Sequence, residues 1–189
     1  CNFAHKKGVK ILVDAEESWI QDSTDEIVLR MMIKYNKQES IVFNTSQMYR
    51  HDRLDYLKRL KDIAEKERFF IGIKLVRGAY IEKENKRAIK NNYRSPICDS
   101  KKLTDLNFNE GASFILSNLN IFSLFSGTHN EESIYNIIDL MKSNKVNNSN
   151  QKVWFGQLYG MSDNISFNLA NEGFCLLYTS DAADDVVGV

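Results

Sequence analysis

Five short apolar runs alternate with helical patterns along the chain. The runs are rich in β-branched and aromatic residues and predict strands at 9–14, 40–45, 69–76, 121–126 and 153–158. Between them, apolar residues recur three or four positions apart, the spacing of one helix face. Strands separated by helices indicate parallel strands with right-handed crossovers. The pattern predicts an α/β fold, and it leaves open a TIM barrel or an open doubly wound sheet.

Local signals predict where several helices begin. Ser23 followed by Glu26 fits a capping box, in which two side chains bond backbone N–H groups of the first turn. Asp52 and Asn130 are placed to cap the helices that follow them. Further helical patterns cover about 80–90, 103–119 and 163–171.

The composition of the chain argues against several classes of protein, including nucleic-acid-binding and membrane-spanning proteins. Lys plus Arg and Asp plus Glu number 25 each, so no overall charge draws the chain to nucleic acid. The three cysteines lie far apart without a CxxC pair, which favours a reducing compartment such as the cytoplasm. No apolar run approaches the ~20 residues that a membrane span needs. The chain opens on Cys1 with neither a start methionine nor a secretory signal, so we expect an upstream part to be missing.

Polar residues follow every predicted strand at the point where the strand ends. They are Asp14, Gln47, Arg77, Thr128, His129 and Gln157 with their neighbours. In both architectures the carboxyl ends of the strands meet at one edge, where ligands bind. The sequence therefore predicts one site shared by several strands, with helix caps and polar loops as the plainer explanation.

Two kinds of ligand are considered for this site. The metal donors on offer are Asp14, Glu16, Glu17 and His129. Histidine is scarce and no HxH or HExxH pair occurs, so we expect no metal. Arg77-Gly78-Ala79 follows a buried strand, and such a segment lets backbone approach a phosphate while Arg77 adds charge. The chain has no GxGxxG and no GxxxxGK[ST], so neither a Rossmann fold nor a P-loop is indicated.

Five sequence blocks resemble proline dehydrogenase, in that family's order and at suitable spacing. They are VDAEES (13–18), FNTSQMYRHDRLDYL (43–57), KLVRGAYIEKE (74–84), GTHN (127–130) and FGQLYGMSD (155–163). KLVRGAY is the most specific block, and the resemblance covers about residues 1–174. It implies an α/β fold that is a partial (βα)8 TIM barrel, about strands four to seven.

The resemblance also implies chemistry. L-Proline would be oxidised to 1-pyrroline-5-carboxylate by hydride transfer to N5 of FAD, and the electrons would pass to a quinone. Asp14 is then an active-site acid, Lys74 a cation near the reactive edge of the flavin, and Gln47 a hydrogen-bonding partner of the isoalloxazine. Many family members carry arginine at the position of Lys74. Further cofactor contacts are implied at Ala15, Arg77, Gly78, Ala79, Thr128 and His129.

The same resemblance implies a location. If the source is bacterial, the resemblance implies a cytoplasmic protein. Its electrons would pass to a quinone, so peripheral contact with the inner membrane surface is also implied. Two alternatives remain open from the residues. One is a metal-dependent barrel lyase using Asp14, Glu16 and His129, and the other is a scaffold that keeps the fold without chemistry.

The resemblance ends near Phe174. The family continues into a strand and a helix whose paired arginines clamp the carboxylate of proline, whereas residues 175–189 contain no arginine and no helical pattern. We interpret 1–174 as a partial proline dehydrogenase barrel and 175–189 as a non-homologous tail, an artefact such as translated adapter sequence. The strands that would precede Cys1 are also missing, so we expect this chain by itself to be inactive.

Overall fold

One six-stranded sheet organises the computed structural model, which describes residues 1–179. The strands are β1 (Ile11–Val13), β2 (Val42–Gln47), β3 (Ile71–Val76), β4 (Phe122–Gly127), β5 (Val153–Leu158) and β6 (Cys175–Thr179). Every neighbouring pair is parallel. The helices of the described residues are α1 (Asn2–Lys7), α2 (Ser18–Tyr35), α3 (Arg53–Glu67), α4 (Ile81–Lys90), α5 (Lys101–Leu116), α6 (Glu131–Ser143) and α7 (Asp163–Asn171).

The order of the strands decides between the two predicted architectures. β1 to β6 lie side by side in chain order, with one or two helices after each strand from β1 to β5. A doubly wound sheet reverses its strand order at a switch point, whereas a (βα)8 barrel does not. The fold is therefore a curled part of a (βα)8 barrel, as predicted. None of the helices in residues 1–179 has the length and apolar character needed to cross a bilayer.

The main core lies between the sheet and the helices. Alternate residues of β3, Ile71, Ile73 and Leu75, are fully buried in this layer, and Phe108 and Ile115 of α5 belong to the same cluster. Alternation sends the intervening residues, Lys74 among them, to the inner face of the barrel. That inner face is where the site is built.

Two of the predicted helix caps are wrong. Ser23 and Glu26 lie inside α2, which begins at Ser18, so they do not form a capping box. Asp52 precedes α3 but makes no side-chain capping bond, because its carboxylate accepts hydrogen bonds from Arg50 and Arg53 instead. The cap at Asn130 is confirmed.

The confirmed cap closes the N-terminus of α6. Asn130 Oδ1 accepts from the backbone N–H of Ser133 at 2.8 Å. This bond fixes the loop that leads from β4 into α6. The loop carries two of the predicted site residues, Thr128 and His129.

β6 is a strand that the sequence pattern did not predict, so the sheet exceeds both the five predicted strands and the range of strands four to seven. It begins at Cys175, where the resemblance was taken to have ended, and pairs with β5 from Trp154↔Cys175 to Leu158↔Thr179. The run CLLYT is apolar enough to add to the open edge of β5. The sheet therefore continues five residues past the boundary at 174, and residues 180–189 lie outside the described residues.

Candidate active site

A cavity of about 410 Å³ opens at the carboxyl edge of the strands. Cavities of this size are typical of small-molecule sites. The structure brings all the predicted site residues to its wall: Asp14, Ala15, Gln47, Lys74, Arg77, Gly78, Ala79, Thr128 and His129. The single shared site that the polar strand ends predicted is therefore present as geometry.

An ion pair links the ends of β1 and β3. Lys74 Nζ donates to Asp14 Oδ1 at 2.5 Å, and the hydroxyl of Thr45, on the strand between them, donates to the same oxygen at 3.4 Å. The Lys74 side chain is 19% exposed. An unpaired cation at such a depth would be costly, so the pair explains how an apolar strand tolerates a lysine. The pair places an ammonium group, with Asp14 as its counter-ion, on the wall of the cavity.

Gln47 is held by the loop that follows β1. Its Nε2 donates to the backbone carbonyl of Glu16 at 2.7 Å. Glu16 in turn accepts a hydrogen bond from the Tyr80 hydroxyl at 2.8 Å. The bond to a carbonyl, which can only accept, settles which end of the Gln47 amide is nitrogen.

Arg77 ties the end of β3 to the end of β4. Its guanidinium donates to Asp105 Oδ1 at 2.7 Å, to Thr128 Oγ1 at 2.6 Å and to Ser133 Oγ at 2.9 Å, and it stacks on the Phe108 ring. Burial alone would raise the pKa of Asp105, but the bond from Arg77 lowers it. Much of the charge of Arg77 is thus balanced by Asp105.

Gly78 brings bare backbone to the cavity. Its φ is +129°, and a Cβ at this position would lie 2.6 Å from the ring of Tyr49. The Tyr49 N–H donates to the Arg77 carbonyl at 2.7 Å. Only glycine fits at position 78, because any side chain there would overlap the Tyr49 ring. The segment Arg77–Ala79 therefore packs closely against Tyr49.

Two polar atoms beside Thr128 have no hydrogen-bond partner in the described residues. They are His129 Nδ1 and Gln157 Oε1, both buried. Gln157 is 2% exposed and is anchored by its Nε2, which donates to the Thr128 carbonyl at 2.8 Å. Buried polar atoms are rarely left unpaired. His129, which lines the cavity, therefore offers a ring nitrogen for a ligand.

Sequence reasoning missed the apolar part of the wall, which consists of Leu12, Val76, Phe125, Leu158, Met161 and Leu177. Phe125 is 8% exposed, and its ring occupies the space over Gly156, where a Cβ would lie 2.3 Å from it. Period-two alternation in β4 could have placed Phe125 on the same face as Gly127. Leu177 was missed because β6 was interpreted as tail.

The donors proposed for a metal do not form a ligand set. Asp14 binds Lys74, and Glu16 binds Tyr80. Within residues 1–179 no group of three or more His, Cys, Asp and Glu side chains is arranged to hold an ion. A lysine ammonium lies against Asp14, where a metal ion would have to bind.

The fold and the cavity define part of a (βα)8 barrel with a cavity of small-molecule size at the carboxyl ends of its strands. Comparison with known proteins narrows this class. A family model described as proline dehydrogenase matches residues 1–182. The chain belongs to the proline dehydrogenase family.

Individual relatives agree with this assignment. The chain is 35% identical over 176 residues to "Proline dehydrogenase 1, mitochondrial" of Dictyostelium discoideum, covering 90% of this chain and 31% of that protein. It is 35% identical over 173 residues to "Carbapenem antibiotics biosynthesis protein CarD" of Pectobacterium carotovorum, covering 92% of this chain and 44% of that protein. The chain therefore spans less than half the length of these relatives.

A solved structure has the same fold. Proline utilization A (PutA) from Bdellovibrio bacteriovorus, inactivated by N-propargylglycine, superposes with a TM-score of 0.87 at 21% identity. The superposition covers 94% of this chain and 18% of that chain. At this identity the likeness concerns the fold alone, and it supports the partial barrel.

Proposed function

We propose that this chain is a segment of a longer protein, called the longer protein below, that oxidises L-proline to 1-pyrroline-5-carboxylate. The observation that carries the proposal is the convergence of the polar strand ends on one cavity, in a chain of the proline dehydrogenase family. We propose FAD as its cofactor and a quinone as its electron acceptor.

The residues of the cavity fit a flavin nucleotide. They combine a fixed cation at Lys74, an amide at Gln47, bare backbone at Gly78 and an unpartnered nitrogen of His129. Such a set suits an extended ligand with a polar ring and an anionic diphosphate. When bound, FAD would supply the redox chemistry of the site, as the acceptor of a hydride from the ring carbon of proline and the donor of two electrons to a quinone.

Lys74 and Asp14 carry the electrostatic part of the reaction. A preorganised cation stabilises negative charge as it develops on a neighbouring ring, without reorganising during the reaction. Asp14 holds Lys74 in place at 2.5 Å and itself faces the cavity. Lysine keeps the charge that an arginine would supply but lacks its planar fork, so it offers a point charge rather than a bidentate contact.

The other predicted residues hold the cofactor. Gln47 would contact the isoalloxazine, and the backbone of Gly78 would face the cofactor. Arg77, Thr128 and His129 would hold its anionic diphosphate, to which the unpartnered Nδ1 of His129 would donate an N–H. Ala15 and Ala79 line the wall with small side chains that admit the ring.

We also propose that this chain alone does not turn over proline. In the part of the chain that the structure describes, β1 and β6 are the outer strands of the sheet, whereas a closed barrel has no edges. The longer protein would close the barrel, supply the remaining substrate contacts and meet a quinone by peripheral contact with a membrane surface.

The test of the proposed function is flavin reduction by proline in the longer protein. We expect purified protein to contain FAD and its absorbance to bleach when L-proline is added without oxygen, while D-proline, the matched control, leaves it unchanged. A protein that lacks flavin and contains a stoichiometric metal would support the lyase alternative and contradict the proposal.

A further inference from the structure

Helix α2 begins without a local cap. Its N-cap residue, Glu17, makes no side-chain capping bond. Instead, the backbone N–H of Ser18 donates to Glu84 Oε1 at 2.6 Å, and the Ser18 hydroxyl donates to Glu84 Oε2 at 2.6 Å. A carboxylate at a helix N-terminus satisfies orphan donors and complements the helix dipole. The cap of α2 is therefore supplied by α4, 66 residues further along the chain.

Glu84 is the buried centre of a larger junction. Its exposure is 0%. Around it, Lys83 forms an ion pair with Glu17, and the Arg87 guanidinium stacks on the Trp19 ring at 4.3 Å. We call the contacts of Glu16, Glu17, Ser18 and Trp19 with Tyr80, Lys83, Glu84 and Arg87 the α2–α4 clasp.

The clasp crosses the end of β2. Its two halves follow β1 and β3, which are separated in the sheet by β2. The carbonyl of Glu16, in the half that follows β1, accepts the bond from Gln47 at the end of β2. The clasp therefore joins the ends of three strands on one side of the cavity.

The clasp also limits the movement of Asp14, whose carboxylate is bonded to Lys74 and Thr45. Only residues 15–17 separate Asp14 from Ser18, and its side chain is 60% exposed, so packing alone holds it weakly. One end of the loop is fixed by β1, and its middle is fixed by the bonds of Gln47 and Tyr80 to Glu16. Its other end is fixed by the bonds of Ser18 to Glu84. Releasing the Ser18 end would loosen the loop and let the Asp14 carboxylate shift relative to Lys74.

Glu84 also lies near Tyr49, the residue against which the segment Arg77–Ala79 packs. Burial raises the pKa of Tyr49 above its usual range, and the negative charge of Glu84 raises it further. Tyr49 is the ring on which Gly78 is seated. One buried carboxylate thus neighbours the supports of both the Asp14 loop and the segment Arg77–Ala79.

We propose that Glu84 is a positioning residue, which holds the Asp14–Glu17 loop on the cavity through Ser18 and so sets the geometry of the Asp14–Lys74 pair. Its effect on proline oxidation rests on the proposed function. Its effect on the loop does not, so the two can be tested separately.

Hydrogen exchange tests the effect on the loop. In the longer protein, Glu84→Ala is expected to speed amide exchange in a peptide covering residues 14–20 at least tenfold. In Glu84→Gln the amide oxygen can still accept from the Ser18 N–H, and the amide NH2 can donate to the Ser18 hydroxyl. This variant should therefore preserve slow exchange. Glu82→Ala, the matched control, alters an exposed residue of the same helix that pairs with Lys86.

Steady-state kinetics test the effect on the site. We expect Glu84→Ala to lower kcat/KM for L-proline at least tenfold with FAD still bound, Glu84→Gln to restore it, and Glu82→Ala to leave it unchanged. If Glu84→Ala fails to fold, Ser18→Ala removes one of the two bonds and should give a smaller rise in exchange and a smaller loss of kcat/KM.

Unchanged exchange in residues 14–20 of Glu84→Ala, or of Ser18→Ala where the first variant does not fold, would overturn the proposal. Equal losses in Glu84→Gln and Glu84→Ala would also overturn it, because the geometry is preserved in one and removed in the other. An unmodified protein that never oxidises proline would contradict the proposed function, while the exchange result would still decide the role of Glu84.

Discussion

Lys74 projects from an otherwise apolar strand and ends in a 2.5 Å contact with Asp14. The side chains of Lys74 and Asp14 both face the inside of the barrel, away from the layer between sheet and helices where the core lies. The ammonium group and its partner carboxylate both line the cavity. The chemistry proposed for the site therefore depends more on the charge of this side chain than on its shape.

Replacing Lys74 by methionine in the longer protein keeps the length of the side chain and removes its charge. Loss of one preorganised electrostatic partner typically lowers a rate by about 10²–10³-fold. We expect a loss of that size in flavin reduction by proline, measured by anaerobic stopped flow. Lys74→Arg should stay within about tenfold of the unmodified protein, and a methionine variant of full rate would remove Lys74 from the mechanism.

Gly78 and Gly160 provide a matched pair of glycines with positive φ, where a residue with a Cβ would be strained. Both have positive φ, +129° and +78°, but only at Gly78 would a Cβ overlap another residue, the ring of Tyr49. Backbone strain costs about 1–3 kcal/mol, and overpacking adds about 1–3 kcal/mol. We expect Gly78→Ala to lower the free energy of unfolding in urea by about 2 kcal/mol more than Gly160→Ala. Equal losses would show that the ring does not support the segment.

A buried set of hydrogen-bonded charged side chains, called the brace below, holds α2 and α3 against the outer side of β2. Arg53 donates to Asp25 Oδ2 at 2.8 Å and to Asp52 Oδ2 at 2.7 Å, and Asn44 of β2 donates to Asp25 Oδ1 at 2.7 Å. Burial alone would raise the pKa of Asp52, but the bonds from Arg53 and Arg50 hold it at about 2. The brace fixes both helices beside the strand that carries Gln47.

Removing Asp25 should destabilise this pair of helices strongly. Asp25→Ala leaves Arg53 buried without one of its partners, and breaking a buried ion pair typically costs about 3–5 kcal/mol. Asp55→Ala is the control, because its pair with Lys58 is exposed and such pairs contribute about 0–1 kcal/mol. Urea unfolding of the longer protein compares the two variants, and similar losses would mean that the brace is not structural.

Local patterns explain which elements were predictable. The apolar runs of β2 to β5 were recognised because each strand is buried, and Asn130 was recognised because its cap lies three residues away. The start of α2 was missed because its cap comes from Glu84, and no local pattern reveals a partner 66 residues distant. Asp52 was misassigned because a capping residue and an ion-pair residue look alike in sequence.

The same distinction holds for the site. Its polar residues could be predicted because strand ends of a parallel sheet converge. Part of its apolar wall was missed although alternation in β4 places Phe125 on the face of Gly127, and Leu177 was missed because it lies on β6, which was interpreted as tail. The bonds that orient Gln47 and Arg77 join separate strand ends, so only the assembled fold shows them.

In residues 1–179 the sheet ends at β1 on one side and at β6 on the other. Large apolar side chains lie exposed near one of them, including Tyr159 at 69%, Phe167 at 66% and Leu177 at 43%. Exposed edges and apolar patches favour association. The protein as a whole therefore resembles part of a barrel that further strands and helices would complete.

The 189-residue chain should behave differently from the longer protein. We expect the chain alone to aggregate at micromolar concentration and to retain little FAD after gel filtration, because its edges are unpaired and its cavity is open. The longer protein should elute as a defined species with one flavin per chain. Light scattering with flavin absorbance measures both, and a yellow, monodisperse preparation of the chain alone would refute this expectation.

A crystal structure of the flavin-loaded longer protein would show where FAD binds. We expect the isoalloxazine beside Lys74 and Gln47, with the diphosphate within hydrogen-bonding reach of the Gly78 backbone or His129. A flavin bound elsewhere, with the Asp14–Lys74 pair facing only solvent, would contradict this placement.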